Sequence, residues 1–217
     1  MTSQTSKSSK QFKIINIRGA NGSGKSWIIR RLMKESNVSP IYEDPEPGRL
    51  IGRVTGYRGN YKGQPIYFVG SYEVMSGGAD HIMKHFGEKN TGKKGYMGID
   101  FVCDLVRRFA GKGHVFFEGF IISGLFQRFY DLSQELGGIT WCYINTPLEV
   151  CYKRIEDRNK NKTATTGRIK GGVGTRHVEQ KFIAAEATRR KFKAAGEETV
   201  IINYRRPMRD IHRVLRD

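Results

Sequence analysis

Long apolar runs are absent from this sequence of 217 residues. Its longest stretch without an acidic or basic side chain, residues 136–148, is well short of the roughly 18 apolar residues that a membrane-spanning helix needs. Cysteine is scarce too, and its three copies, Cys103, Cys142 and Cys151, show no CxxC pairing. We therefore expect no membrane association and no disulfide framework, and a reducing cytosol is the simplest location.

Acidic residues are also few, with 21 Asp and Glu against 38 Lys and Arg, which gives a formal net charge of +17. The basic excess lies at the two ends, in residues 1–42 and 151–217, whereas the middle of the chain is balanced. A charge of this size usually indicates a polyanionic partner, most often nucleic acid. The alternative is that some basic residues neutralise a bound nucleotide while the others aid solubility.

A phosphate-binding pattern follows the first predicted strand. The apolar residues 12–20 lead into GxxxxGK[ST], and an apolar-spaced helix that includes Trp27, Ile28, Leu32 and Met33 comes next. Backbone N–H groups of such a loop surround phosphate oxygens, a lysine reaches the β and γ phosphates, and a hydroxyl ligates Mg²⁺. The predicted nucleoside triphosphate site consists of Gly19, Ala20, Asn21, Gly22, Ser23, Gly24, Lys25 and Ser26.

Short apolar runs alternate with helical patterns along the rest of the chain. Strands are predicted at residues 39–44, 114–118, 139–145 and 199–204, and helices at 99–110, 125–136, 147–159, 177–195 and 207–215. This order predicts an α/β fold, a mainly parallel sheet flanked by helices, with ligands at the carboxyl ends of the strands. We expect a flexible basic arm at 1–11 and one domain at 12–217, which contains an inserted β-hairpin at 50–72 and a basic lid at 160–175.

Three stretches resemble the P-loop nucleoside and nucleotide kinases: GANGSGKS at 19–26, FFEG at 116–119 and NTPLEVCYKRIEDRNK at 145–160. Within that superfamily the chain most resembles the bacteriophage 5-hydroxymethyluracil DNA kinases, through GANGSGKS, GSYE followed by GGAD, and the positive charge. The resemblance implies a P-loop kinase fold, ATP and Mg²⁺ as cofactors, and DNA as the partner whose modified base accepts phosphate. It also implies a step in thymidine hypermodification, in the cytoplasm of the phage host.

The resemblance also suggests roles for individual residues. Arg154, Arg158 and Arg168 would close over the triphosphate from the lid, and Arg154 would contact the nucleotide. Glycine follows Glu118 where many members of the superfamily have arginine, so the role of that arginine is missing or supplied from elsewhere.

A carboxylate must take the proton of the acceptor alcohol, because an alcohol is a poor nucleophile until its proton is removed. Asp44 and Glu118, each at the end of a predicted strand, are the candidates. We favour Glu118 as a Mg²⁺ ligand through water, beside Ser26, and Asp44 as the base. A turn-forming role for Asp44 before Pro45 remains equally open.

Substrate contacts are predicted on both sides of the hairpin. Tyr72 would stack on an extruded base, with Glu73 and Asp80 as further contacts. Arg58, within the interleaved aromatic and basic residues Tyr57, Tyr61 and Lys62, would contact DNA. The alternative is that the hairpin packs its aromatic side chains on the core.

Three functions compete at this point. The first is a kinase acting on a modified base in DNA, and the second is a kinase of a free nucleoside, nucleotide or small metabolite. The third is a nucleic-acid-binding P-loop NTPase without kinase activity. Nothing in the sequence indicates the oligomeric state.

Overall fold

A computed structural model describes residues 12–43, 53–73, 78–88, 93–119, 122–166 and 175–217. Within these ranges the strands are β1 (Ile14–Arg18), β2 (Ser39–Glu43), β3 (Arg53–Tyr61), β4 (Gln64–Val69), β5 (His114–Glu118), β6 (Thr140–Ile144) and β7 (Thr199–Ile202). The helices are α1 (Lys25–Glu35), α2 (Ala79–Met83), α3 (Gly98–Phe109), α4 (Gln127–Leu136), α5 (Leu148–Thr166), α6 (Thr175–Ala194) and α7 (Pro207–Val214). A short 3₁₀ turn at Ile122–Gly124 precedes α4.

The described strands form one sheet in the order β2-β3-β4-β5-β1-β6-β7. The five strands from β4 to β7 in this order are mutually parallel, and β3 runs antiparallel to both β4 and β2. In the central register, Ile17 pairs with both Glu118 and Cys142, so β5, β1 and β6 end side by side. That common edge is where an α/β sheet offers a ligand site.

Successive side chains of each strand point to opposite faces of the sheet, and an apolar layer packs on each face. Ile15 and Ile17 of β1 pack with α1 and α7, and Ile14 packs with α2, α3, α4 and α6 on the opposite face. Every residue of β1, β5 and β6 is buried, as expected for parallel strands covered on both sides. The predicted α/β architecture is therefore confirmed. None of the described helices has the length and apolar character that crossing a membrane requires.

The hairpin predicted within residues 50–72 is present as β3 and β4, and both strands belong to the main sheet instead of standing apart from it. β4 occupies the place beside β5, so β2 lies three strand spacings, or about 14 Å, from β5. The sequence pattern shows each strand but not its neighbours, because strand order is decided by packing between distant segments.

The helix predicted at 147–159 continues to Thr166. No glycine or proline interrupts residues 148–166, so the backbone can stay helical through the polar segment. Residues 160–166 of the predicted lid are thus helical, and 167–174 lie outside the described residues.

Candidate functional site

The phosphate-binding loop lies between β1 and α1, at the carboxyl edge of the sheet. Gly24, which precedes α1, has a φ of 106°, a conformation that side chains with a Cβ rarely adopt. Gly22 has a φ of 80°, and a Cβ there would lie 2.6 Å from the carbonyl oxygen of Cys151. The loop is therefore packed tightly against the start of α5, and Ala20 joins a small apolar cluster with Ile155.

The side chain of Lys25, the first residue of α1, folds back onto this loop. Its ammonium donates hydrogen bonds to the carbonyl oxygens of Gly19 and Ala20, at 2.9 and 3.0 Å. Burial lowers the pKa of Lys25, while the negative charges of Glu118 and Asp80 act to raise it. Arg158 lowers the pKa of Lys25 further, so the guanidinium of Arg158 lies close enough to repel the ammonium.

Glu118 ends β5 beside the loop, and its carboxylate accepts a hydrogen bond of 2.8 Å from the hydroxyl of Ser26. The side chain is almost fully buried, and burial raises the pKa of Glu118 to about 7, against the opposing effects of Lys25 and Ser26. The structure thus brings the predicted residues Lys25, Ser26 and Glu118 together. Hydroxyl and carboxylate oxygens are the ligands that Mg²⁺ prefers, so this pair fits the metal that a triphosphate brings.

Two arginines of α5 lie against the loop. Arg154 donates to the carbonyl oxygens of Gly22 and Ser23, at 3.1 and 3.2 Å. Within the described part of the chain, the Nε of Arg158 is buried without a hydrogen-bond partner. Such a donor is costly to leave unsatisfied, and a phosphate oxygen would satisfy it. Arg154 thus contacts the loop directly, and the charge of Arg158 acts on Lys25 within it.

A second loop, between β4 and α2, borders the same edge. Ser71 and Gly78 form an isolated antiparallel bridge, which holds the two ends of this loop together. A Cβ on Gly119 would lie 2.7 Å from the Oδ1 of Asp80, so the carboxylate of Asp80 covers the residue after Glu118. This contact explains why a glycine follows Glu118. Arg30 of α1 lies near the same carboxylate, because it donates to the carbonyl oxygen of Tyr72 and acts to lower the pKa of Glu118.

The predicted substrate residues are placed differently. Tyr72 lies at this edge but is only 6% exposed, so its ring face is covered and cannot serve as the predicted stacking surface. Tyr57 and Tyr61 are buried as well, which confirms the alternative that the hairpin packs its aromatic side chains on the core. Glu73 is exposed next to Tyr72.

Arg58 is not brought to this edge. It pairs with Tyr67, which pairs in turn with Val115, three residues before Glu118 and thus about 10 Å along the strand. The other two predicted residues, Asp44 and Arg168, lie outside the described residues.

A cavity of about 380 Å³ adjoins the phosphate-binding loop. It is lined in part by Trp27, Ile144, Arg154, Tyr204, Arg205 and Pro207. Trp27 is 57% exposed, so its assignment from sequence to the apolar face of α1 was wrong. The signal that could have identified this site is a large aromatic residue directly after the GKS of the loop.

A larger cavity of about 1260 Å³ lies at the opposite edge of the sheet, near the amino ends of β1 and β5. Its lining includes Lys13, His114 and Glu197. Its lining includes none of the residues of the phosphate-binding loop, whereas that of the smaller cavity includes Ser23 and Gly24.

Known proteins resemble this chain in sequence, although no family model matches it. A 5-hmdU DNA kinase of Pseudomonas phage PaMx11 is 32% identical over 188 residues, which cover 85% of this chain and 87% of that protein. A 5-hmdU DNA kinase of Pseudomonas phage M6 is 28% identical over 212 residues, which cover 94% of this chain and 98% of that protein. Among solved structures, a gluconokinase from Sinorhizobium meliloti 1021 aligns with a TM-score of 0.47 and 15% identity, over 94% of this chain and 89% of the other.

Proposed function

The chain belongs to the family of the 5-hmdU DNA kinases, and we propose that it transfers the γ-phosphoryl group of ATP to the hydroxymethyl group of 5-hydroxymethyluracil in DNA. The observation that carries this proposal is the group of Lys25, Arg158, Ser26 and Glu118 at one edge of the sheet. Two neighbouring cations, one of them buried, favour an anion with several charges, such as a triphosphate.

The residues of the loop would divide the work of holding the donor. Backbone N–H groups at the start of α1 and the ammonium of Lys25 would bind phosphate oxygens, and Arg154 and Arg158 would neutralise charge as the phosphoryl group moves. Ser26 and Glu118 would hold Mg²⁺, which supplies further neutralisation of the phosphates when bound. Phosphoryl transfer depends mainly on such positioning and charge compensation.

The nucleobase of ATP would occupy the cavity beside the loop. Its volume, about 380 Å³, is within the range of small-ligand sites. Trp27 and Tyr204 offer aromatic surfaces for stacking, and Arg154 and Arg205 offer donors. Exposure of a tryptophan beside the triphosphate site supports this assignment, because a base would cover it.

DNA would approach from the side of α2 and β3. Arg53 and Lys84 are exposed there, and both act with His81 to lower the pKa of His85, after the larger effect of burial. Arg53 and Lys84 therefore place positive charge beside α2, which carries Asp80. The same proposal places the protein in the cytoplasm of a phage host, where the DNA is modified.

An acceptor assay tests the function. The protein would be incubated with γ-labelled ATP and Mg²⁺, and with one of three acceptors: 5-hydroxymethyluracil DNA, thymine DNA of the same sequence, or the free nucleoside. We expect label in the first DNA alone. Label on the free nucleoside, or phosphate release without any labelled acceptor, would instead support one of the two competing functions.

Lys25→Ala is the matched variant for this assay. Because it removes the ammonium that would contact the transferred phosphate, we expect at least a 100-fold loss of kcat. Circular dichroism and the melting temperature would verify that the variant folds. A Lys25→Ala protein that keeps most of its activity would show that the phosphate-binding loop is not the site.

A further inference from the structure

The loop between β4 and α2 is closed in a way that fixes both of its ends at the sheet edge. The N–H of Gly78 donates to the carbonyl oxygen of Ser71 at 2.6 Å, and the reciprocal bond is 3.3 Å long. Gly70 has a φ of 126°, and a Cβ there would lie 2.4 Å from the carbonyl carbon of Gly78. Tyr72 directly follows Ser71, and Asp80 lies two residues after Gly78. The charge of Asp80 acts to raise the pKa of Tyr72, so the two side chains lie near each other.

The carboxylates of Glu118 and Asp80 each lie against a glycine at this closure. A Cβ on Gly78 would lie 2.6 Å from the Oε1 of Glu118, and a Cβ on Gly119 would lie 2.7 Å from the Oδ1 of Asp80. Glu118, at the end of β5, thus packs against Gly78, and Asp80, in the first turn of α2, packs against Gly119, so both carboxylates border the same closure.

The two carboxylates differ in what surrounds them. Glu118 is 2% exposed and accepts the hydrogen bond of Ser26, which directs it towards the phosphate side of the cleft. Asp80 is only partly buried, so a substrate entering the cleft can reach it. The charge of Asp80 also acts on Lys25, so the carboxylate lies near the group that would hold the transferred phosphate.

The hydroxyl of Tyr72 provides an independent indication of a ligand. It is buried and has no hydrogen-bond partner among the residues that the structure describes. Burial raises the pKa of Tyr72 well above its usual range, with Glu118 and Asp80 adding to the effect, so the hydroxyl is a neutral donor near both carboxylates. A neutral donor next to an accessible carboxylate is what an acceptor alcohol needs: one group to bind its oxygen and one to take its proton.

We propose that Asp80 is the catalytic base of the phosphoryl transfer, an inference that rests on the function proposed above. The acceptor O–H bond breaks as its proton passes to a carboxylate oxygen of Asp80, and the freed electron pair forms the new bond from oxygen to the γ-phosphorus. The bond from that phosphorus to the oxygen bridging to the β-phosphate breaks, and ADP leaves with those electrons. Asp80 then returns the proton to water.

The sequence predicted Asp44 for this role, and Asp44 stays a prediction because it lies outside the described residues. The strand that precedes it, β2, is separated from β5 by β3 and β4. Asp80, in contrast, contacts the residue directly after Glu118. The two assignments can be separated experimentally because each makes a different variant inactive.

The test compares Asp80→Asn with Asp44→Asn, using 5-hydroxymethyluracil DNA and a single-turnover measurement of phosphoryl transfer. Because the amide cannot accept the proton, we expect Asp80→Asn to lower the transfer rate about 100-fold or more. The KM for DNA, measured at steady state, should change less than threefold. The rise in melting temperature that ATP with Mg²⁺ causes should stay close to that of the wild type. Asp80→Glu, which keeps the carboxylate but displaces it, should recover part of the rate.

Glu88→Gln is the matched control, since Glu88 is an exposed carboxylate further along the same segment that accepts a hydrogen bond from the N–H of Gly95. It should keep the wild-type rate. If Asp80→Asn retains more than a tenth of the rate, the inference is wrong although the proposed function stands, and a concurrent loss in Asp44→Asn would assign the base to Asp44. If the wild-type protein labels no DNA, the proposed function itself fails.

Discussion

The carboxylate of Glu118 lies in buried surroundings that disfavour its ionised form. It is buried at the end of β5, with Lys25 and Ser26 as its neighbours on the phosphate side and Gly78 packed against it on the other. Its raised pKa means that the folded protein binds the proton of Glu118 more tightly than the unfolded chain does. The stabilisation from this proton is present below the unfolded pKa and is lost as the pH rises through about 7.

Glu118→Gln should therefore raise the stability of the protein at pH 8. The neutral amide resembles the protonated carboxyl, and the shift of the pKa from 4.5 to about 7 corresponds to up to about 3 kcal/mol. The gain should shrink as the pH falls to 5, where the wild-type carboxyl is itself protonated. Urea unfolding of both proteins at pH 5 and pH 8 measures this gain. An equal difference in the free energy of unfolding at both pH values would contradict the buried environment assigned to Glu118. Kinase activity should fall in the same variant, because the proposed Mg²⁺ ligand is removed.

At the scale of elements, α1 both contributes to the core and borders the nucleotide cleft. Ile28, Ile29 and Leu32 are buried against the sheet, whereas Trp27, in the first turn, lines the cavity beside the phosphate-binding loop. On the function proposed above, Trp27 would contact the ligand while Ile28, Ile29 and Leu32 hold the helix on the sheet. A substitution at Trp27 should separate these two contributions.

Trp27→Ala should raise the KM for ATP about tenfold, since stacking on an aromatic ring contributes roughly 1 kcal/mol or more. The melting temperature without nucleotide should change little, because the side chain is 57% exposed. Trp27→Phe is the control that keeps a stacking surface and should keep a KM near that of the wild type. If Trp27→Ala keeps a KM for ATP within twofold of the wild type, the base of ATP does not bind in this cavity.

Fluorescence provides a second measurement on the same element. The chain has two tryptophans, and the other, Trp141, is fully buried beneath α6. ATP should change the emission of the wild-type protein and leave that of Trp27→Phe almost unchanged. This contrast reports nucleotide binding at α1 without any acceptor being present.

Local patterns allowed part of the fold and of the site to be predicted from sequence. The strand, loop and helix around Lys25 could be predicted because glycine spacing and apolar periodicity are both local. The position of Asp80 could not, since residues 77–98 are glycine-rich and lack a clear period, and the position depends on Gly70 and Gly78 closing a loop against Glu118. The place of β3 and β4 in the sheet was missed for a related reason, because it depends on pairing with β5.

The whole molecule combines a net charge of +17 with a site that already contains several positive groups. Basic residues of the described part outnumber what one triphosphate would neutralise, and α6 alone contributes Arg189, Arg190, Lys191 and Lys193. Binding of a long polyanion displaces condensed counterions, so its affinity depends steeply on salt. Binding of a single nucleotide in a cleft depends on salt much less.

The affinity for duplex DNA should therefore fall at least 100-fold between 50 and 200 mM salt, as expected when about four phosphates or more are neutralised. Fluorescence anisotropy with a labelled duplex measures this dependence. Thymine DNA should show the same slope, because the phosphate contacts do not depend on the modified base. A KM for ATP measured in parallel should vary only a few-fold, and a DNA affinity insensitive to salt would contradict an electrostatic binding surface.

The residues that would bind ATP and those that would bind the acceptor follow different strands of the sheet. Residues that would bind the nucleotide follow β1, β6 and β7, whereas Tyr72 and Asp80 follow β4 on the other side of β5. On the proposals above, the acceptor half would lie in one continuous stretch between α1 and β5. Evolution could replace that stretch as a cassette and so change which alcohol is phosphorylated while the ATP machinery is inherited intact.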